Sequence, residues 1–291
     1  MSLVTLAQIK SELKAENTAT GATVDQYLVG MGRYVTKRWR GITKLDFEPL
    51  LRTKTITATE MNISGGMLLL DEPLLEPLTI SNNGSALAYG SQVSAYPVDD
   101  RIPIRNLLLN DTNDCLSWWP TGCNGGLGTG SLYNTIAVNG YWGARSYYDT
   151  EGWLDSDDAN LLALNASQLT FTVTNADGLN SVYYMPRFSA GNLIMIDSEI
   201  MEIDATDIVT NTLTVRRGQR GTTATTHNIN TTIYTWNPEP EVVQALTRWA
   251  CYGFARKGSF EEAIITDLGN VQYPSDAPKQ VYHVAQEYAQ W

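Results

Sequence analysis

At 291 residues, with 43% hydrophobic and 18% charged residues, the chain has enough apolar side chains for a packed core and room for two domains, which excludes wholesale disorder. Its net charge of −11 is uneven: the first sixty residues hold nine Lys/Arg against six Asp/Glu, and from Asp149 to Asp207 the only base is Arg187. An acidic body of this kind argues against tight nucleic-acid binding, which needs clustered Lys/Arg, but not against a duplex sliding past a repulsive wall.

Three cysteines (Cys115, Cys123, Cys251) without a CxxC pair argue against a disulfide framework and for a reducing compartment. MSLVTLAQIKSELKAEN carries no apolar run of the signal-peptide kind, and no stretch reaches eighteen apolar residues. The expectation is a protein made in the cytoplasm with no membrane partner.

The chain opens with a helical pattern. Thr5 followed by Gln8 forms a capping box before Leu6, Ile9 and Leu13, and Asn17–Gly21 breaks the helix. Thr23 with Gln26 opens a second helix whose Leu28, Met31, Val35 and Trp39 keep the 3.6-residue period, and Gly41 is its expected stop. Arg33, Lys37, Arg38 and Arg40 crowd its last turns. They read either as a solvated helix end or as a contact with an acidic neighbouring subunit.

From Thr53 the period falls to two. Strands are expected at Thr53–Met61, Met67–Leu70, Leu78–Ser81, Ala86–Tyr96, Ile102–Leu109 and Thr135–Trp142, with Asn82-Asn83-Gly84 as a hairpin turn. DEPLLEPL, with two prolines, reads as an edge or crossover. Thr121–Ser131 is a Gly-rich loop that lacks the lysine of a phosphate cradle. Further short strands at Leu169–Thr174, Leu193–Ile196, Ile200–Asp204, Thr212–Arg216 and Ile233–Trp236 imply an inserted small β-barrel or sandwich. Pro238-Glu239-Pro240 then starts a third helix, with Val243, Leu246, Ala250 and Phe254 on its apolar face, and a short helix ends the chain.

The expected fold class is therefore α+β: a helical core from both chain ends with antiparallel sheet (residues 1–150 and 237–291), plus an inserted β domain (151–236). Catalytic and metal signatures are sparse. Two histidines, His227 and His283, permit no zinc set, and no GxSxG is present. His227 in RGTTATTHN reads as a structural hydrogen-bonding residue. Glu199, Glu202 and Asp204, on two expected strands, read as solvated strand edges rather than a glycosidase pair. Asp155, Asp157 and Asp158 begin like a calcium loop, without its Gly and Glu. No catalytic residue, metal ligand or cofactor is expected.

One resemblance rises above this background. ATVDQYLVGMGRYVTKRWRG, KTITA, GGMLLLDEPLLEPLTIS, IAVNGYWG and the run from PEVVQALTRWACYGFARKG to VYHVAQEYAQW resemble the head-to-tail connector (adaptor) family of tailed bacteriophages. The insert's GNLIMIDSEIMEI and NTLTVRRGQRGTTATTHN are similar to a β-module of phage structural proteins with an SE…RG…GT…H pattern. The chain is longer than the plainest members of the adaptor family. The resemblance implies a non-enzymatic virion protein at the head–tail junction. It would form a ring, twelvefold in expectation, between the portal protein and a neck, tail-terminator or stopper protein, and DNA would pass through without sequence-specific binding. Within that reading Tyr282, Tyr288 and Trp291 are candidate portal anchors, and Arg33, Lys37, Arg38 and Arg40 candidate subunit contacts. Deleting Gln280–Trp291 is then expected to abolish portal attachment and leave a folded protein. The competing reading is a glycan-binding β module of a phage tail or cell surface, with Trp142, Trp153 and Trp236 as stacking platforms.

Overall fold

The computed structural model describes residues 2–13, 22–57, 63–64, 67–97, 103–110, 135–181, 186–255, 264–265, 271–272 and 277–289. Cys115, Cys123, the Thr121–Ser131 loop, the Asn17–Gly21 break and Trp291 lie outside them. The chain divides into two compact units, residues 46–152 and residues 1–45 with 153–291.

The first unit is an antiparallel sheet. Its main path runs β1 (Leu50–Thr57), β7 (Thr135–Trp142), β3 (Met67–Asn82), β6 (Ile104–Leu109) and β5 (Val93–Tyr96); β2 (Ile63–Ser64) and β4 (Ser85–Leu87) also pair with β3. The two prolines expected to mark an edge or a crossover instead sit inside β3, which lies between β7 and β6. Register shifts between Leu69 and Leu74, Leu74 and Glu76, and Pro77 and Thr79 absorb the missing donors, so β3 bends and continues. Asn83 and Gly84 both take positive φ (49° and 82°), the geometry of a tight primed turn, and join β3 to β4. Gly140 faces Pro77 across the ladder, where a Cβ would collide with the Glu76 carbonyl oxygen. Leu68, Leu74, Ile80, Val93, Leu107, Ile136, Val138 and Trp142 form the buried core.

Among the described residues, the second unit combines four helices with a six-stranded sheet. α1 (Leu6–Glu12) starts with the expected capping box. α2 (Ala22–Thr43) runs past the expected stop at Gly41. Lys44 ends it instead, with φ 60° and its N–H donating to the Arg40 carbonyl at 2.9 Å, while the Thr43 hydroxyl donates to the Trp39 carbonyl. α3 (Pro240–Ala255) begins with proline in its first turn, and α4 (Lys279–Ala289) buries Val281 and Ala285. α1 packs on α2 and α3, and α4 packs on α2 and α3. The sheet order is β8 (Trp153–Ala159), β13 (Thr232–Trp236), β10 (Leu193–Ile196), β11 (Glu199–Asp207), β12 (Thr212–Arg216) and β9 (Thr170–Thr172). Its two edges meet where Asn160 pairs with Val173 and the Leu161 N–H donates to the Thr172 carbonyl at 3.0 Å, so the sheet closes on itself. Phe171, Val173, Phe188, Ile194, Ile203, Leu213 and Ile233 fill its interior. A further pair, β14 (Ile264–Ile265) and β15 (Val271–Gln272), is antiparallel.

The expected α+β class built on a helical core is thus corrected. The protein is mostly antiparallel β, with two large sheets and few helices among the described residues. The physical reason is where the cores lie. In the first unit the apolar core is built from strands, and the second sheet has an apolar filling of its own.

Candidate functional site

The SE…RG…GT…H pattern comes together at one point of the closed sheet. β10 and β11 join through a two-residue turn, Asp197-Ser198, with Asp197 at φ 52°. This turn places Glu199 at the start of β11 with its side chain fully buried. Arg217 follows β12 and grips Glu199 in a fork: Nε donates to Oε1 and Nη2 to Oε2, each at 2.7 Å. The N–H groups of Gly218 and Thr225 donate to the same carboxylate at 2.9 Å each. His227 Nε2 lies 2.9 Å from Glu199 Oε2, and its Nδ1 lies 2.7 Å from Asp197 Oδ2. An ionised carboxylate only accepts, so both contacts are met when both ring nitrogens donate.

Arg217 is saturated in turn. Nη1 donates to the Asn165 and Gln168 carbonyls at 2.8 and 3.0 Å, and Nη2 to the Thr225 carbonyl at 2.6 Å. The Thr222 hydroxyl donates to the Gln219 carbonyl and accepts from the Ile200 N–H. Burial pushes the Glu199 carboxyl up, but Arg217, the two backbone donors and His227 outweigh it and hold the group down at about 2. The hub fastens four segments of irregular backbone to one strand. Glu199 is therefore no solvated edge, as the sequence reading expected, but a buried carboxylate that accepts five hydrogen bonds.

Glu202 and Asp204 lie on the same strand as Glu199, not on a second one. Glu202 is fully buried beneath Arg216 Nη2 (2.8 Å) and Arg33 Nη2 (3.2 Å), and Asp204 receives Arg33 Nη2 at 2.8 Å and Arg216 Nε at 3.0 Å. Arg33 thus ties α2 to β11 within the chain. The other acidic trio is also structural at its centre: Asp158, buried, accepts from the N–H groups of Ala159, Thr174 and Asn175 and pairs with Arg187 at 3.3 Å. No group of three or more His, Cys, Asp or Glu side chains placed to hold a metal ion occurs among the described residues, and no described helix is long and apolar enough to cross a membrane.

The remaining expected contact residues are dispersed. Lys37 and Arg38 are exposed on α2, and Arg40 is half-buried. Tyr282 is exposed on α4, whereas Tyr288 packs edge-on against Trp39 with ring centroids 6.5 Å apart. Because α4 buries Val281 and Ala285, deleting residues 280–291 removes core side chains; the exposed Tyr282 is the better point of perturbation. An open groove of about 290 Å³ runs between α3 and α4, lined by Ala245, Arg248, Val281 and Val284 among others.

Two of the three tryptophans of the glycan reading are buried. Trp142 is 1% exposed, with Arg52 and Lys54 over its ring at 5.6 and 5.4 Å; Trp236 is 5% exposed, with half-buried Trp153 edge-on at 5.1 Å. No protein-family model and no curated protein matches the chain.

Proposed function

We propose that the chain is a structural virion protein, a head-to-tail adaptor of a tailed bacteriophage, forming a ring below the portal that joins the capsid to the neck or tail and lets DNA through. The observation that carries this reading is how the segments bearing the family resemblance assemble. KTITA, IAVNGYWG and GGMLLLDEPLLEPLTIS supply β1, β7 and β3, which are consecutive neighbours in one sheet. The runs beginning ATVDQ and PEVVQ supply α2, α3 and α4, which pack on one another although some two hundred residues of sequence lie between α2 and α3. Scattered chance similarities have no reason to become spatial neighbours.

Two further features agree with a scaffold role. The ionisable groups of the SE…RG…H motif are consumed in internal bonds, which suits rigidity rather than chemistry. The net charge of −11 suits a channel through which a duplex slides without adhering. Such a subunit meets the portal on one side and a neck, terminator or stopper protein on the other, with Tyr282 and the Lys37–Arg38 pair as its exposed contact candidates. Its place is the head–tail junction of the virion.

Complementation tests this reading. A phage lacking the gene is expected to accumulate DNA-filled, tailless heads, and adding the purified chain to that lysate should restore tail joining. Heads that join tails equally well without the protein would refute it.

A further inference from the structure

The dipeptide Asn-Gly occurs three times in the chain, at 83–84, 124–125 and 139–140. An asparagine side chain is most open to attack by the next backbone nitrogen when glycine follows, because no Cβ stands in the way. Asn124 lies outside the described residues. The other two share their chemistry and differ in setting. Asn139 sits inside β7, paired with Thr53 of β1 on one side and Thr79 of β3 on the other. Gly140 beside it is buried, with the Glu76 carbonyl where a side chain would stand. Freeing this pair means dismantling the sheet. Asn83 and Gly84 instead form the exposed turn between β3 and β4, beyond the last paired residues, Asn82 and Ser85. β4 is three residues long, has Ser85 and Ala86 exposed, and pairs only with β3 among the described residues. A Cβ built on Gly84 would meet no atom within 4 Å, so the space around it is open. Two hydrogen bonds hold the turn: the Thr135 N–H donates to Asn83 Oδ1 at 2.7 Å, and the Asn83 N–H to the Thr135 carbonyl at 2.8 Å. Opening a short peripheral hairpin costs far less than opening a strand paired on both sides.

We propose that Asn83 is a site of spontaneous covalent modification, deamidating through a cyclic imide when the turn opens. Base takes the proton of the Gly84 N–H, and the nitrogen attacks Asn83 Cγ to form a new C–N bond. The side-chain nitrogen takes up a proton and leaves as ammonia. Water then opens the succinimide at either carbonyl and gives aspartate or isoaspartate at position 83. Either product adds one negative charge, from −11 to about −12. Aspartate keeps an acceptor for the Thr135 N–H. Isoaspartate routes the backbone through Cγ and lengthens it by a methylene, so the two-residue turn no longer sets the β3–β4 register. The reaction needs water alone, neither ring nor portal, and is independent of the adaptor reading.

The full chain is incubated at mildly alkaline pH, native and in urea, and sampled over weeks. Peptide mass spectrometry reads the gain of about 1 Da at each asparagine, and isoaspartyl methyltransferase labelling reads the rearranged product. In urea both Asn83 and Asn139 are exposed and should convert at similar rates. In the native protein Asn83 should convert at least about tenfold faster than Asn139, relative to their ratio in urea. Thr135→Pro removes the N–H that holds Asn83 Oδ1, at the first residue of β7, where a strand tolerates proline. It should raise the native Asn83 rate by about threefold or more, with circular dichroism establishing that the variant is folded. A native ratio below about tenfold, no product at position 83 once Asn83 has converted in urea, or a folded Thr135→Pro with an unchanged rate overturns the proposal. If that variant does not fold, the wild-type rates decide alone.

Discussion

Replacing Glu199 by Gln perturbs the second unit at a buried carboxylate that accepts five hydrogen bonds. The substitution keeps the shape and removes the negative charge that faces Arg217, two backbone N–H groups and His227. The carboxyl is held at about 2 against an ordinary value of 4.5, although its side chain is fully buried. A depression of this size corresponds to about 3 kcal/mol at pH 7, within the range of about 3–5 kcal/mol for breaking a buried ion pair by removing one partner. The sign follows from linkage: a depressed carboxyl contributes fully above its unfolded value, and the contribution is lost as pH falls from 4.5 towards 2. Urea unfolding of wild type and Glu199→Gln, at pH 7 and at pH 3, isolates the effect from the other carboxylates because only the difference between the two proteins is read. The difference should be about 3 kcal/mol at pH 7 and about 1 kcal/mol at pH 3. A difference below about 1 kcal/mol at pH 7, or one that does not shrink with acid, would refute the hub as a source of stability.

Other consequences are equally direct. Asn160→Ala removes two donors and one acceptor from a fully buried position and leaves the Thr231 N–H without its partner; it should cost about 2–3 kcal/mol in the same urea assay. Proteolysis should then concentrate in 161–168 and 226–231, and an unchanged cleavage pattern would argue against the clamp. Burial, and then the nearby Glu12 carboxylate, push the Cys251 thiol up to about 11. At pH 8 only about a thousandth of it is thiolate, so Cys251 should alkylate far more slowly in the folded protein than in urea, as read by peptide mass spectrometry. Equal rates in both states would contradict this.

Legibility in the sequence followed the range of the interactions. Local signals were readable: the Thr5–Gln8 capping box, the period of α2, the Asn83-Gly84 turn, and most short strands from Leu193 onward depend on neighbours within a few residues. Signals that depend on distant partners were not. Glu199 resembles any acid at a strand end until Arg217 and His227, 18 and 28 residues away, close over it. Arg33 reads as part of a solvated helix end or of a contact with a neighbouring subunit because its carboxylates stand 169 and 171 residues further on. Spacing within the SE…RG…H pattern was the one available clue, since a carboxylate, a guanidinium and an imidazole held at fixed intervals suggest a single bonded cluster. The helices stand out in the sequence for a related reason: an amphipathic helix shows its period in one window, whereas closure of a sheet by Asn160 and Val173 leaves no periodic trace. The prolines of β3 misled because bulges, invisible in sequence, absorbed them.

The adaptor reading is tested most directly by electron microscopy of the purified chain mixed with portal rings of the same phage. The account predicts a second ring of this chain, with twelvefold symmetry and an open axial channel, seated on one face of the portal. Portal rings that stay bare at saturating protein would contradict it.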